Sequence, residues 1–207
     1  MNEVIIATKN KGKAKEFERI FNARGFDVKT LLDYPEAPDI EETGATFEEN
    51  AILKAESASD RLGKMVIADD SGLEVDALGG RPGIYSARYA GTEKNDDANI
   101  DKVLDELKDV PAAERTARFR CVLAVSIPGG GTQTFSGSCE GRILPERRGT
   151  NGFGYDPVFY ADEMNRSMAE LEPAEKNKIS HRARALEKLE QTLLTSLEKD
   201  GHQWAKS

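Results

Sequence analysis

Five short segments carry the residues whose types and spacing could do chemistry. Thr8-Lys9-Asn10-Lys11-Gly12-Lys13 gathers a hydroxyl, an amide and three ammonium groups just after an apolar run. Backbone N–H groups at a helix start favour anions, and Lys13 adds a point charge suited to phosphate oxygens. This is not the P-loop, whose glycines and following Ser or Thr are missing. An ordinary polar turn capped by Asn10 accounts for the same residues. Glu41-Glu42 and Asp69-Asp70 are the acidic pairs. A hard cation such as Mg²⁺ takes carboxylate oxygens and keeps waters for a substrate phosphate. The competing readings are a solvated acidic loop for the first pair and a capping turn for the second.

Gly152-Phe153-Gly154-Tyr155-Asp156 combines two aromatics, two glycines and a carboxylate. The glycines let a flat ligand approach the backbone, an aromatic face can stack on a base, and Asp156 can accept from base N–H groups. A tight turn with its aromatics in the core is the alternative. Lys176 and Ser180-His181-Arg182 stand at the entrance to a final helix, either as anion-binding cations or as a solvated helix start.

The elements that must position these residues follow from periodicity. Val4-Ile5-Ile6-Ala7 reads as a buried strand feeding the Thr8–Gly12 turn. Phe17, Ile20 and Phe21 fall at helical spacing after Lys13, with Gly25 placed to end that helix. Residues 26–32 have strand character, and 35–44 form a proline-broken acidic loop. Thr46 and Glu49 match a capping box, opening a helix whose Ala51, Ala55 and Ala58 stripe ends at Gly63. Met65 to Ala68 reads as a second buried strand that stops at an Asp69–Gly72 turn. Ile100, Val103, Leu104 and Leu107 predict a helix. Residues 117–127 alternate as a strand, turn at 128–131, and return over 132–144. Pro157 to Tyr160 is a short strand, Ser167 and Glu170 form another capping box, and Leu186, Leu189, Leu193 and Leu197 build the last helix from about Ser180. His202 and Trp204 belong to a terminal tail. The pattern predicts one α/β domain over 1–198, with 199–207 expected to be disordered.

Composition narrows the function classes. The chain has 207 residues and a net charge of −8, which leaves no basic excess for holding a nucleic-acid backbone. No apolar run approaches the ~20 residues of a membrane span, and the N-terminus lacks the parts of a secretory signal. A cytoplasmic setting is expected, with neither nucleic acid nor membrane as partner. Cys121 and Cys139 lie in no metal-type spacing. A turn centred on Gly130 would set them opposite each other, yet a reducing compartment favours two free thiols.

Taken together, Thr8 to Lys13, Glu41-Glu42-Thr43-Gly44, Thr46 to Ala51, Ala68-Asp69-Asp70-Ser71-Gly72-Leu73, Gly79 to Arg88, Gly152 to Pro157 and Ser180-His181-Arg182 resemble the inosine triphosphate pyrophosphatase family, in order and from about residue 2 to residue 197. The resemblance implies an α/β fold with a long mixed central sheet, flanking helices and two lobes around a nucleotide cleft. It also implies a homodimer, Mg²⁺ dependence, and hydrolysis of non-canonical purine nucleoside triphosphates (ITP, dITP, XTP, dXTP) to the monophosphate and pyrophosphate. Carried over by position, the segment Thr8, Lys9, Asn10, Lys11, Gly12, Lys13 would hold the phosphates. Glu41 and Asp70 would serve the metal, with Asp70 also the proton acceptor and Ser71 a substrate contact. Phe153, Gly154, Tyr155, Asp156, Lys176, His181 and Arg182 would line the base and sugar end. There, Asp156 facing N1–H and Arg182 facing O6 would match hypoxanthine or xanthine rather than adenine. Lys9 departs from the pattern, since many relatives carry Gly.

Overall fold

A computed structural model describes residues 2–23, 25–34 and 40–200. Part of the expected acidic loop (35–39) and the tail with His202 and Trp204 lie outside the described residues.

The chain opens with β1 (Asn2–Ile6), whose Val4, Ile5 and Ile6 are buried. The following helix α1 (Lys11–Asn22) is capped by Asn10 and begins two residues earlier than the apolar spacing suggests, so Lys13 sits inside its first turn. Phe17, Ile20 and Phe21 form its buried stripe, and Gly25 follows at φ 82°. The chain then enters β2 (Phe26–Thr30), which runs parallel to β1 in the register Val4 to Val28. The helix α2 (Phe47–Leu62) has Thr46 as its cap and buries Ala51, Ala55 and Ala58. Its capping box differs in one bond: the Glu49 carboxylate accepts from the Ala45 N–H, one residue before the cap.

The clearest departure concerns β3 (Val66–Val75), which runs straight through Asp69-Asp70-Ser71-Gly72 instead of stopping before them. The segment is neither a turn nor a cap. Gly72 makes this possible, because a Cβ there would collide with Ser86 Oγ and the Gly83 carbonyl. The Ser86 hydroxyl accepts the Leu73 N–H at 2.9 Å. Strand geometry sends successive side chains to opposite faces, so Asp69 and Asp70 diverge.

The remaining elements are α3 (Asp96–Glu106), β4 (Thr116–Ile127), β5 (Gly131–Ile143), β6 (Phe159–Ala161), β7 (Arg166–Ser167), α4 (Pro173–Ile179) and α5 (His181–Asp200). The Ser167–Glu170 capping box is present, closing a single 3-10 turn. The short helix α4 went unanticipated; Pro173 opens it, and Glu172 and Glu175 cap it reciprocally. The seven strands form one sheet in the order β2-β1-β3-β4-β5-β6-β7. Pairing is parallel on the β1 side and antiparallel from β5 to β7, so the fold is a mixed α/β sheet with helices.

The chain divides into two compact units that interleave in sequence. The first comprises residues 1–69, 122–137 and 182–207, with a core including Ile6, Phe17, Ala55, Ile67, Leu123 and Leu186. The second comprises 70–121 and 138–181, with a core built on Leu73, Val103, Phe119, Val158, Phe159 and Met168. Cys121 and Cys139 are both buried and are not joined in a disulfide. Among the described residues, no helix is long and apolar enough to cross a membrane.

Candidate functional site

In the first unit, β1 delivers a buried Thr8 to the start of α1. Thr8 Oγ1 accepts the Asn10 N–H at 3.2 Å, and Asn10 Oδ1 accepts the Lys13 N–H at 3.0 Å. Lys9 and Lys11 are exposed, Gly12 and Lys13 half-buried. The first turn of α1 holds no acidic residue. Cations at the positive end of a helix are opposed by its dipole, an arrangement that a docked anion would relieve.

Lys13 is not loose in this arrangement. Its Nζ lies 3.0 Å from Asp69 Oδ2, and Arg182 Nε lies 3.6 Å from the same oxygen. Arg182 Nη1 in turn bonds Glu16 Oε2 at 2.7 Å. Asp69 is 1 % exposed, and burial by itself raises a carboxyl pKa. The Lys13, Arg182 and Lys54 cations, with the Lys13 hydrogen bond, outweigh that and hold Asp69 well below the usual carboxylate range. Asp69 is therefore an anion that fixes cations. Sequence reasoning missed this role, and missed Glu16 altogether. No local spacing signals the Glu16 contact, because its partner Arg182 stands 166 positions later. Arg182, expected at the base end, is buried here against Glu16 and Asp69. Glu42 is paired as well, with Lys54 Nζ at 2.7 Å. In each acidic pair one carboxylate is thus bonded to a lysine. Glu41 is exposed.

In the second unit, β3 carries Asp70, 5 % exposed, and a half-buried Ser71. The Gly152–Asp156 turn is gathered around its own carboxylate. Asp156 Oδ2 accepts the Phe153 N–H at 2.9 Å and the Lys176 ammonium at 2.6 Å. Both side chains of that ion pair are buried. Gly152 has φ 79°, and a Cβ there would collide with Asp156 Oδ2. Lys176 Nζ stands 5.0 Å from the centroid of the Phe153 ring, a cation–π distance. Tyr155 OH donates to the Ser86 carbonyl at 2.7 Å; burial, then Tyr89 and Asp96, push its pKa up. The turn's Gly154 N–H is accepted by Asp96 Oδ2 at 2.9 Å, a contact from α3 that sequence reasoning did not foresee. His181 is buried and stacks on Phe119, with 5.0 Å between ring centroids.

The structure therefore brings together Thr8, Asn10, Lys13 and Arg182 in the first unit. In the second it brings together Phe153, Gly154, Tyr155, Asp156 and Lys176. Among the described residues, no three His, Cys, Asp or Glu side chains cluster as a metal cage. Mg²⁺ needs none, because it is commonly bound through one or two carboxylates plus substrate phosphates. Chemically, the first arrangement offers fixed positive charge at a helix start, and the second offers an aromatic ring on a rigid, hydrogen-bonded turn.

Comparison with known proteins gives a consistent result. The model of the Ham1 family matches residues 4–192. A dITP/XTP pyrophosphatase of Geobacillus kaustophilus is 62 % identical over 92 % of this chain and 94 % of its own length. One from Bacillus licheniformis is 64 % identical over 91 % of this chain and 96 % of its own. Among solved structures, the Staphylococcus aureus Ham1 protein superposes with a TM-score of 0.83 at 47 % identity, covering 94 % of this chain and all of that one. A HAM1 protein from Coxiella burnetii gives 0.82 at 42 % identity, again over 94 % of this chain and all of its own.

Proposed function

We propose, from the premise that the chain belongs to the Ham1 family, that it hydrolyses non-canonical purine nucleoside triphosphates. ITP, dITP, XTP and dXTP would yield the monophosphate and pyrophosphate, clearing these nucleotides from the pool. The observation that carries this reading is identity of 62 and 64 %, over more than nine-tenths of the chain, to dITP/XTP pyrophosphatases. The cationic start of α1 and the aromatic ring on the Gly152–Asp156 turn support it.

The reaction breaks the anhydride between the α- and β-phosphates with a water oxygen as nucleophile. Negative charge on the triphosphate repels that oxygen, so catalysis needs charge neutralisation and in-line positioning. Thr8, Asn10, Lys13 and the exposed Lys9 and Lys11 at the start of α1 would bind the phosphates. Asp69, with Oδ2 3.0 Å from the Lys13 Nζ, would keep Lys13 aimed. Asp70 would accept the water proton, and Ser71 would contact substrate. Phe153 would stack on the base, with Gly154, Tyr155, Asp156, Lys176 and His181 shaping that end and Arg182 contributing from the start of α5. We propose Mg²⁺ as the metal, held by Glu41 and Asp70, whose hard oxygen donors suit it. When bound, it would neutralise phosphate charge and acidify a water. A homodimer working in the cytoplasm completes the reading.

The test is a panel of ITP, XTP, dITP, GTP and ATP with Mg²⁺, scored separately for pyrophosphate and orthophosphate. Pyrophosphate from ITP and XTP is expected. Orthophosphate would make the protein a phosphatase, and tight binding without product would make it a nucleotide sensor. Repeating the assay with chelator, then restoring Mg²⁺, tests the metal.

A further inference from the structure

The stability of the Gly152–Asp156 turn comes partly from outside it, along one face of α3. Asp96, Asn99, Lys102 and Glu106 are spaced by three, three and four residues, which sets them on a single helical stripe. Every one of them bonds a neighbouring segment of the second unit. Asn99 Oδ1 accepts the Ala90 N–H at 2.7 Å, and its amide donates to the Ala87 carbonyl at 3.2 Å. Lys102 Nζ donates to the Tyr89 carbonyl at 2.8 Å and lies over the Tyr89 ring. Glu106 accepts the Tyr89 hydroxyl at 2.5 Å. These three hold the 83–90 segment, whose Ser86 carbonyl in turn receives the Tyr155 hydroxyl. Asp96 works directly, accepting the Gly154 N–H.

We propose that Asp96 is a positioning residue for base recognition, acting through the backbone of Gly154. The inference rests on the reading of the Gly152–Asp156 turn as the base platform. Three features favour it. Asp96 occupies the first position of α3 after the Asn95 cap, where a carboxylate is stabilised by the helix dipole. The Asn95 side chain already accepts the Ala98 N–H, so the Asp96 carboxylate is not required as the cap. Gly152 and Gly154 both have positive φ, 79° and 60°, a backbone shape with little local preference to sustain it. The Phe153 plane depends on that shape. Asp156 fixes the Phe153 N–H from within the turn, and Asp96 fixes the next N–H from without. Two successive peptide groups are thereby locked on either side of the Phe153 Cα.

The experiment compares Asp96→Ala, Asp96→Asn and Phe153→Ala, with inorganic tripolyphosphate as a competitor that has phosphates and no base. Loss of one charge-assisted hydrogen bond is expected to raise KM for ITP about 10-fold in Asp96→Ala. The inhibition constant of tripolyphosphate and the kcat for ITP should stay within about twofold of wild type. Asp96→Asn, whose amide oxygen still accepts, should recover most of the KM. Equal weakening of ITP and tripolyphosphate would show a general structural role and overturn the inference. So would an unchanged KM in Asp96→Ala. The outcome in Phe153→Ala separates the two layers. A raised KM there with a normal Asp96→Ala removes Asp96 alone, whereas a normal Phe153→Ala removes the base-platform reading on which it stands.

Discussion

The proposed phosphate-binding group of the first unit and the aromatic turn of the second are held by different forces. Around Lys13 the contacts are between opposite charges: Asp69 with Lys13 and Arg182, Glu16 with Arg182, Glu42 with Lys54. Around Phe153 they are largely bonds that fix backbone: Asp156 to the Phe153 N–H, Asp96 to the Gly154 N–H, Tyr155 to the Ser86 carbonyl. The division matches what each ligand part asks of a protein. A triphosphate is recognised through charge, which tolerates some displacement because Coulomb energy falls slowly with distance. A base is recognised through plane and edge, which tolerate little. One region therefore stores fixed charge, and the other stores shape.

The sharpest way to break this comparison runs through neighbouring residues of β3. Asp70→Asn keeps size and strand geometry while removing one carboxylate charge and, with it, the proposed proton acceptor. Removing a general base commonly costs 10²–10⁴ in rate, so kcat should fall about 100-fold or more with an unchanged circular dichroism spectrum. Wild-type turnover at saturating Mg²⁺ would strip Asp70 of its role. Asp69→Ala should act differently, on stability. It leaves the buried Arg182 and half-buried Lys13 short of a counter-charge, a loss of about 3–5 kcal/mol when a buried pair is broken. The wild-type protein offers the same test by acid. The folded-state pKa of Asp69 lies below the ordinary 3.8, so its stabilisation is complete above about pH 4 and is lost as pH falls towards the depressed value. The difference in denaturation midpoint between wild type and Asp69→Asn should therefore shrink below pH 4. A constant difference from pH 7 to pH 3 would show that the anion is not what stabilises.

The same contrast explains what the sequence could reveal. Helix α3 and the 116–143 hairpin were legible because their apolar periods are long and regular, and α1 because Phe17, Ile20 and Phe21 share a face. β3 was misjudged at its end. Two aspartates after four apolar residues look like a turn, and nothing local reports that Asp69 is neutralised by Lys13, 56 positions earlier, and by Arg182, 113 later. α4 escaped because seven residues carry too little periodicity to register. Asp96 was invisible for another reason: it is one of two acids in the first turn of α3, and only the fold brings it to Gly154.

A smaller effect sharpens the charge side. Lys13→Ala would remove the proposed phosphate contact, one made in ground and transition states alike, so KM for ITP should rise about 10- to 100-fold with kcat changed far less. If kcat collapsed while KM held, Lys13 would be neutralising charge that develops only during reaction. Because Asp69 loses its nearest cation in this variant, Lys13→Arg is the companion measurement. It should restore the ion pair, and with it stability, before it restores KM.

The smallest expected effect belongs to the shape side and concerns which base is accepted. Hypoxanthine and xanthine present an N1–H donor beside an O6 acceptor, whereas adenine presents an acceptor at N1 beside an N6 donor. A site that hydrogen-bonds one pattern leaves polar atoms unpaired against the other, and this discriminates strongly. Asp156 Oδ2 accepts from Lys176 and the Phe153 N–H, and the proposed base contact would set the same carboxylate against N1–H. Asp156→Asn supplies an amide that donates as well as accepts. The ratio of kcat/KM for ATP to that for ITP should then rise about 10-fold, while the GTP to ITP ratio, which shares the N1–H and O6 edge, should move much less. Loss of the Lys176 counter-charge alone would lower all three substrates together. An unchanged ATP to ITP ratio in a folded, active Asp156→Asn variant would confine Asp156 to holding Lys176 and the turn, and would leave base discrimination to the shape that those contacts maintain.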